Sequence, residues 1–348
     1  ANFEFNGKFM SGALEQRPRW KQVLDVVNGS LGEALGELYV EKHFPPAAKQ
    51  RIKDLVANLK IALAERINKL SWMSDETKKQ ALVKLDKIGV KVGYPDKWED
   101  YSKIEITRDS YWDNLLAVRK FNFQKNLSEI GKPVDKTKWG MSPQTVNAYY
   151  SPINNEICFP AGILQPPFFF ANGDDAVNYG GIGVVIGHEI THGFDDQGRK
   201  YDADGNLKDW WTTQDGKLFE EKAQVLVDQY NNFAVLDTFK VDGKLTLGEN
   251  IADLGGITIG LEGLKKAWEK NPPAKETEGF TPLQRYFLSY AQIWRGSIRD
   301  KELLKRLKED VHSPSLARVN GIVYNIPEFY DAFGIKSGKM FKDKDPRR

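Results

Sequence analysis

The sequence predicts a mainly helical protein with one small β-sheet, an α+β class. Long stretches repeat apolar residues every three or four positions between charged ones, two short runs read as strands, and glycine, proline and aspartate cluster between them. From residue 45 to 90 the pattern is helical and amphipathic, with Ile52, Leu55, Val56, Leu59, Leu63, Ile67 and Leu70 along one face. Ser74, followed by Asp75 and Glu76, opens a second amphipathic stretch that reaches Ile88. Gly93-Tyr-Pro-Asp-Lys-Trp98 is a turn-rich break. Residues 109–128 form another helix, with Asp109 or Ser110 as its cap. Asn147–Tyr150 and Glu156–Phe159 are the β-like runs, joined by Ser-Pro-Ile-Asn-Asn. Further helices are expected over about 213–232, 248–270, 282–298 and 301–309, and Thr281-Pro282-Leu283-Gln284 supplies a cap, a proline at N1 and a glutamine at N3. There is no internal repeat, and the one biased segment is the mixed-charge tail Lys336–Arg348.

Composition removes several function classes. The 348 residues suffice for one large domain or two, and 41% hydrophobic with 28% charged residues is ordinary globular usage. A net charge of +2 gives no electrostatic case for a nucleic-acid partner. The longest apolar runs, such as Ile182–Ile186, are far too short for a membrane span, and no basic-then-apolar leader opens the chain. Ala1 in place of methionine reads as a processed or truncated chain. Cys158 is the sole cysteine, so packing rather than an internal disulfide must hold the fold. Asn28-Gly29-Ser30 and Asn126-Leu127-Ser128 match the glycosylation triplet, a pattern common by chance. Asp202-Ala203-Asp204-Gly205-Asn206 resembles the start of a calcium loop, but its glycine falls two positions early and no bidentate glutamate follows, so a turn held by Asx hydrogen bonds is expected.

Two of the four histidines fall in His188-Glu189-Ile190-Thr191-His192. On a helix, residues four apart share a face, so both imidazoles can bind one zinc ion while Glu189 reaches the water on that metal. Catalytic zinc takes three protein ligands and leaves a position open. Gly248-Glu249-Asn250-Ile251-Ala252-Asp253 offers the best third ligand: on a helix, Glu249 and Asp253 lie one turn apart, so Glu249 can ligate while Asp253 accepts the free ring N–H of a ligating histidine. His312 and Arg318 would suit the stabilisation of a tetrahedral oxyanion if the fold brings them near.

Four segments occur together: His188-Glu-Ile-Thr-His-Gly-Phe-Asp-Asp196, Gly248-Glu-Asn-Ile-Ala-Asp253, Asn147-Ala-Tyr-Tyr150 and His312-Ser-Pro-Ser-Leu-Ala-Arg318. With Ala291-Gln-Ile-Trp294, Gly93-Tyr-Pro-Asp-Lys-Trp98 and Asn325-Ile-Pro-Glu-Phe329, their text and order resemble the neprilysin family of zinc endopeptidases nearly end to end. The lack of disulfide cysteines resembles its bacterial oligopeptidase branch. The resemblance implies a thermolysin-like catalytic domain over residues 106–348, preceded at 1–105 by a helical segment of a second domain that caps the active site. It implies one Zn2+ per chain on His188, His192 and Glu249, with Glu189 as general base, Asp253 as the carboxylate behind a ligand and His312 stabilising the oxyanion. Asn147 and Ala148 would hold the substrate backbone, and Arg318 would bind a substrate carbonyl. Phe168, Val185, Ile293 and Trp294 are candidates for the hydrophobic pocket that takes the side chain after the scissile bond.

The function so implied is hydrolysis of internal bonds of oligopeptides on the amino side of hydrophobic residues, by attack of a zinc-bound water. An aminopeptidase is disfavoured because no amine-anchoring motif is evident. Two departures qualify the resemblance. Family members are about twice this length, so an N-terminal half that helps close the substrate chamber is missing here, and the family's aromatic C-terminal ending is replaced by Lys344-Asp-Pro-Arg-Arg348. The alternative expectation is therefore a non-catalytic half that binds zinc and peptide but needs its N-terminal partner. A soluble protein, periplasmic or secreted in preference to cytoplasmic, is expected.

Overall fold

A computed structural model gives the architecture of residues 1–338; most of the charged tail from Lys336 lies outside the described residues. After a short helical segment, Phe3–Met10, come α1 (Arg19–His43), α2 (Pro46–Lys69), α3 (Asp75–Asp86), β1 (Gly89–Gly93) and α4 (Tyr111–Glu129). Then follow β2 (Tyr149–Ser151), β3 (Glu156–Pro160), α5 (Asp175–Asn178), α6 (Val184–His192) and α7 (Thr213–Asn231). A two-residue hairpin pair, β4 (Ala234–Val235) and β5 (Phe239–Lys240), precedes α8 (Leu247–Lys270), α9 (Pro282–Ile293), α10 (Asp300–Glu309), α11 (Ser315–Val323) and α12 (Pro327–Phe333).

Local chemistry explains where many of these helices begin. Ser74, Ser110 and Thr212 each accept a backbone N–H from the third residue on, and Thr281 with Gln284 forms a reciprocal capping box at 3.3 and 2.9 Å. Asp202 Oδ1 accepts the N–H groups of Asp204 and Asn206 at 2.9 and 3.0 Å, the expected Asx-held turn.

Three features differ from the sequence reading. β1 was hidden because Ile88 continues the helical spacing of α3; only its parallel pairing with β3, Gly89 opposite Glu156, makes it a strand. α9 stops at Ile293 instead of 298, and Trp294 turns to lie against the Arg318 guanidinium, 3.9 Å from ring centroid to Cζ. The strand expected at Asn147 begins at Tyr149, so Asn147 and Ala148 precede it. No helix was expected at α1, α11 or α12, although the segments His312–Arg318 and Asn325–Phe329 run into the last two.

The three-stranded sheet has the order β1-β3-β2, with β2 antiparallel to the wholly buried β3 and exposed along its outer edge. One apolar core runs from Ile52, Leu55 and Leu59 of α2 through Ile157 and Phe159 of β3 to Ile186 of α6 and Ile257 of α8. α2, α3 and β1 are thus packed together with the elements that follow residue 105. At the centre, α6 and α8 cross in close contact: a Cβ on Gly187 would lie 3.0 Å from Gly256, and one on Gly256 would lie 2.5 Å from the Val184 carbonyl. Glycine at both positions lets the two backbones approach, which brings the end of one helix against the start of the other. No helix among the described residues is long and apolar enough to cross a membrane.

Candidate metal centre

The α6–α8 crossing assembles the site. His188 and His192 project from α6, and Glu249 and Asp253 face them from the first two turns of α8. His188 Nε2 lies 3.0 Å from His192 Nε2 and 3.3 Å from Glu249 Oε2, while His192 Nε2 is 3.6 Å from Glu249 Oε1. The ligand atoms of these three residues all lie within 4.8 Å of one another. Behind them, His188 Nδ1 meets Asp253 Oδ1 at 2.8 Å, and His192 Nδ1 meets Asp195 Oδ2 at 2.6 Å. Carboxylates only accept, so each Nδ1 carries a proton and Nε2 is the atom each ring presents to a metal. Two Nε2 atoms facing at 3.0 Å repel unless a cation, either a proton or a metal ion, sits between them. Two zinc–nitrogen bonds of about 2.0–2.1 Å at a tetrahedral angle place nitrogens about 3.3 Å apart, so this donor set fits zinc.

The charges are strongly coupled. Burial pushes His188 down, but hydrogen bonds to Asp253 and Glu249 reverse this and raise it to about 10. His192 is likewise raised, its burial outweighed by Asp195. Burial disfavours the charged Glu249, yet the hydrogen bond from His188 and the charges of His188, His192 and His312 hold it down at about 2. Glu189 goes the other way: burial raises it above the ordinary carboxylate range.

Arg318, on α11, is buried and binds Asp253 twice, Nε to Oδ2 at 2.7 Å and Nη2 to Oδ1 at 2.6 Å; Nη2 is also 3.5 Å from Glu249. His312 lies on the segment before α11, half exposed, with Nε2 3.3 Å from Glu249 Oε1 and Nδ1 2.8 Å from Asp310 Oδ1. A cleft of about 530 Å³ opens over the centre, and Asn147, Ala148, Phe168, Val185, His188, Glu189, His192, Glu249, Asp253, Ile293, Trp294, His312 and Arg318 all line it. Every residue singled out in the sequence is therefore gathered in one place. Asp195 was missed, although its position three residues after His192 on an acidic Asp195-Asp196 pair is the signal that finds it. Gln197 and Tyr201, which also line the cleft, carried no sequence signal, and Tyr150 lies in the Asn147–Tyr150 run without having been given a role.

Comparisons with known proteins agree with this geometry. The chain is 40% identical to human neprilysin over 338 residues, 94% of this chain and 45% of the relative. It is also 40% identical to an endothelin-converting enzyme homolog of Locusta migratoria, over 94% of this chain and 46% of that protein. The chain thus spans about half the length of the curated relatives it matches. Among solved structures, the zinc metalloprotease Zmp1 of Mycobacterium tuberculosis in complex with an inhibitor superposes with a TM-score of 0.94 at 47% identity, over 100% of this chain and 53% of that one. PepO from Lactobacillus rhamnosis gives 0.88 at 32% identity, over 98% and 53%. The fold is thermolysin-like, as in these zinc peptidases. Two family models described as peptidase family M13 match residues 1–95 and 147–348, and the chain belongs to that family.

Proposed function

We propose that this chain carries the catalytic centre of a zinc endopeptidase acting on oligopeptides. The observation that carries the reading is the convergence of two histidine Nε2 atoms and Glu249 at the floor of a cleft that Glu189 also lines. His188, His192 and Glu249 hold one zinc ion. When bound, zinc lowers the pKa of a coordinated water and polarises the scissile carbonyl.

The chain's own residues do the rest. Glu189, whose burial increases its affinity for a proton, takes one at its carboxylate and passes it to the leaving amine. His312 lines the cleft with Nδ1 held by Asp310 and Nε2 beside Glu249, and from there Nε2 donates to the developing oxyanion. The open edge of β2, with Asn147 and Ala148 just before it, pairs with an extended peptide through backbone hydrogen bonds. Phe168, Val185, Ile293 and Trp294 receive the side chain after the scissile bond, which gives a preference for cleavage before hydrophobic residues. Arg318 supports the centre through Asp253 and, as part of the cleft lining, binds a substrate carbonyl in this reading.

A second reading, in which the chain needs an N-terminal complement for activity, is supported by α4. Trp112, Leu116, Phe123, Leu127 and Ile130 recur on one face of that helix and its cap, and all are exposed. In this reading residues 1–105 join that complement to close the cleft over the substrate. The test is cleavage of a fluorogenic peptide with a hydrophobic residue after the scissile bond, by the zinc-loaded chain alone and with the N-terminal half of a relative added. Turnover that chelator abolishes supports the endopeptidase reading, and turnover only with the added half supports the second. No turnover in either case overturns both.

A further inference from the structure

Lys84 of α3 is only 1% exposed, an unusual place for an ammonium group. Its Nζ donates to the carbonyl oxygens of Gly198 at 2.8 Å and Tyr201 at 2.6 Å. The rings of Tyr150, Phe194 and Trp210 surround it at 5.9, 5.7 and 5.8 Å. The segment it grips follows directly on the zinc-binding helix. Asp195 Oδ1 accepts the N–H groups of Gln197 at 2.9 Å and Gly198 at 2.6 Å, and its other oxygen faces His192 Nδ1. Gly198 is therefore held at both ends of its own backbone, by Asp195 at the N–H and by Lys84 at the carbonyl. It fits there only as glycine, since a Cβ would lie 1.7 Å from the His192 carbonyl.

We propose that Lys84 is a positioning residue for the metal ligand His192. A methionine would fill the same space among the three rings without the cost of burying a charge. What only the amine supplies is a pair of donors that pin the 194–201 turn at the Gly198 and Tyr201 carbonyls. An Asp195 fixed by that turn holds the His192 ring through Nδ1 and so turns Nε2 toward the metal position. The side chain that stabilises this ligand thus comes from a different stretch of sequence, α3, over a hundred residues earlier.

The inference rests on the reading of His192 as a zinc ligand, and the test separates the two. Zinc affinity is measured by competition with a chromogenic chelator for the wild-type chain, H192A, K84M, D195N and the K84M/D195N double variant, with folding checked by circular dichroism. The visible spectrum of the cobalt-substituted protein reports ligand geometry. K84M and D195N are each expected to weaken zinc about 10- to 100-fold and to alter the cobalt spectrum alike. The double variant is expected to lie within about two-fold of D195N, because both changes break one connection. Should K84M not fold, K84Q, which removes the charge with a polar group, is held to the same criteria. Zinc affinity that depends on His192 but is unchanged in a folded Lys84 variant overturns this inference alone, and so do fully additive effects. A wild-type chain that binds no zinc overturns the metal reading and the inference with it.

Discussion

Arg318 and Asp253 meet side-on, through two parallel hydrogen bonds of 2.7 and 2.6 Å, in a place closed to solvent. Asp253 passes the effect on to His188 at 2.8 Å, so a guanidinium on α11 sets the ring orientation of a candidate metal ligand on α6. Replacing Arg318 by methionine removes the partner and leaves the carboxylate buried. We expect a loss of about 3–5 kcal/mol of stability, read by urea denaturation, together with weaker zinc binding. Lysine is not an adequate substitute, because it cannot offer the planar pair of donors. An R318M protein as stable as wild type would show that Asp253 is not held as a charge.

Glu189 separates binding from chemistry. It lines the cleft beside both histidines without being one of the three converging ligands. Glu189→Gln preserves shape and should leave zinc stoichiometry at one per chain. Turnover should fall by a factor of about 10²–10⁴ or more, with a much smaller change in KM. Near-normal turnover with zinc retained would remove Glu189 as the base.

Acid sensitivity should be traceable to Asp215. Its carboxylate is buried where α3 and α7 begin, accepting Ser74 N at 3.0 Å and Thr77 Oγ1 at 2.5 Å as well as the Ser74 hydroxyl. Burial disfavours its charge, but these bonds win and hold it at about 2 against an ordinary 3.8. A depressed folded-state pKa contributes stability that is fully present above the unfolded value. That stability is lost as pH falls from about 4 through about 2. The gap corresponds to about 2–3 kcal/mol. D215N should therefore be less stable than wild type by that amount at pH 7, with the difference closing as pH drops below 4 in parallel urea titrations. A difference that stays constant with pH would mean that the charge is not what matters.

How much was legible beforehand depended on whether the signal was local. α2, α3, α4, α7, α9 and α10 announce themselves by apolar spacing or by caps such as Ser74, Ser110 and Thr281, all local effects. The candidate metal group was legible because His188 and His192 lie one helical turn apart, and Glu249 and Asp253 repeat that spacing on a second helix. β1 was not, because Gly89–Gly93 becomes a strand only by pairing with a segment more than sixty residues later. Lys84 was invisible for a related reason: in sequence it is one of many lysines on an amphipathic helix. Only the packing of α3 against the 194–201 turn buries it. Arg318 lines the same cleft, but its grip on Asp253 is a tertiary contact that no spacing encodes.

The hydrophobic wall of the cleft makes a graded prediction. Ile293 and Trp294, at the end of α9, line the cleft together with Phe168 and Val185. Ile293→Ala enlarges the space by removing three carbons. It should cost about 1–3 kcal/mol in kcat/KM toward substrates with leucine or phenylalanine after the scissile bond and much less toward alanine. A uniform loss over all substrates would point to disturbed folding, and no loss would place that side chain elsewhere.

The last prediction concerns α4. Only Val118 of its nineteen residues is buried, while Phe123 and Leu127 are 63% and 49% exposed. Trp112, Leu116, Phe123, Leu127 and Ile130 follow one another by four, seven, four and three positions, the rhythm of a helix face meant to be covered. Left in water, such a face promotes self-association. Phe123→Lys with Leu127→Lys should leave stability almost unchanged, since neither side chain is in the core, and should leave zinc binding intact. The same pair should reduce self-association in sedimentation velocity. It should also lower, by tenfold or more, any gain in peptidase activity produced by adding the N-terminal half. If the added half stimulates the double variant as strongly as wild type, α4 is not where it docks, and the need for a partner must be sought at α1 or at the rim of the cleft.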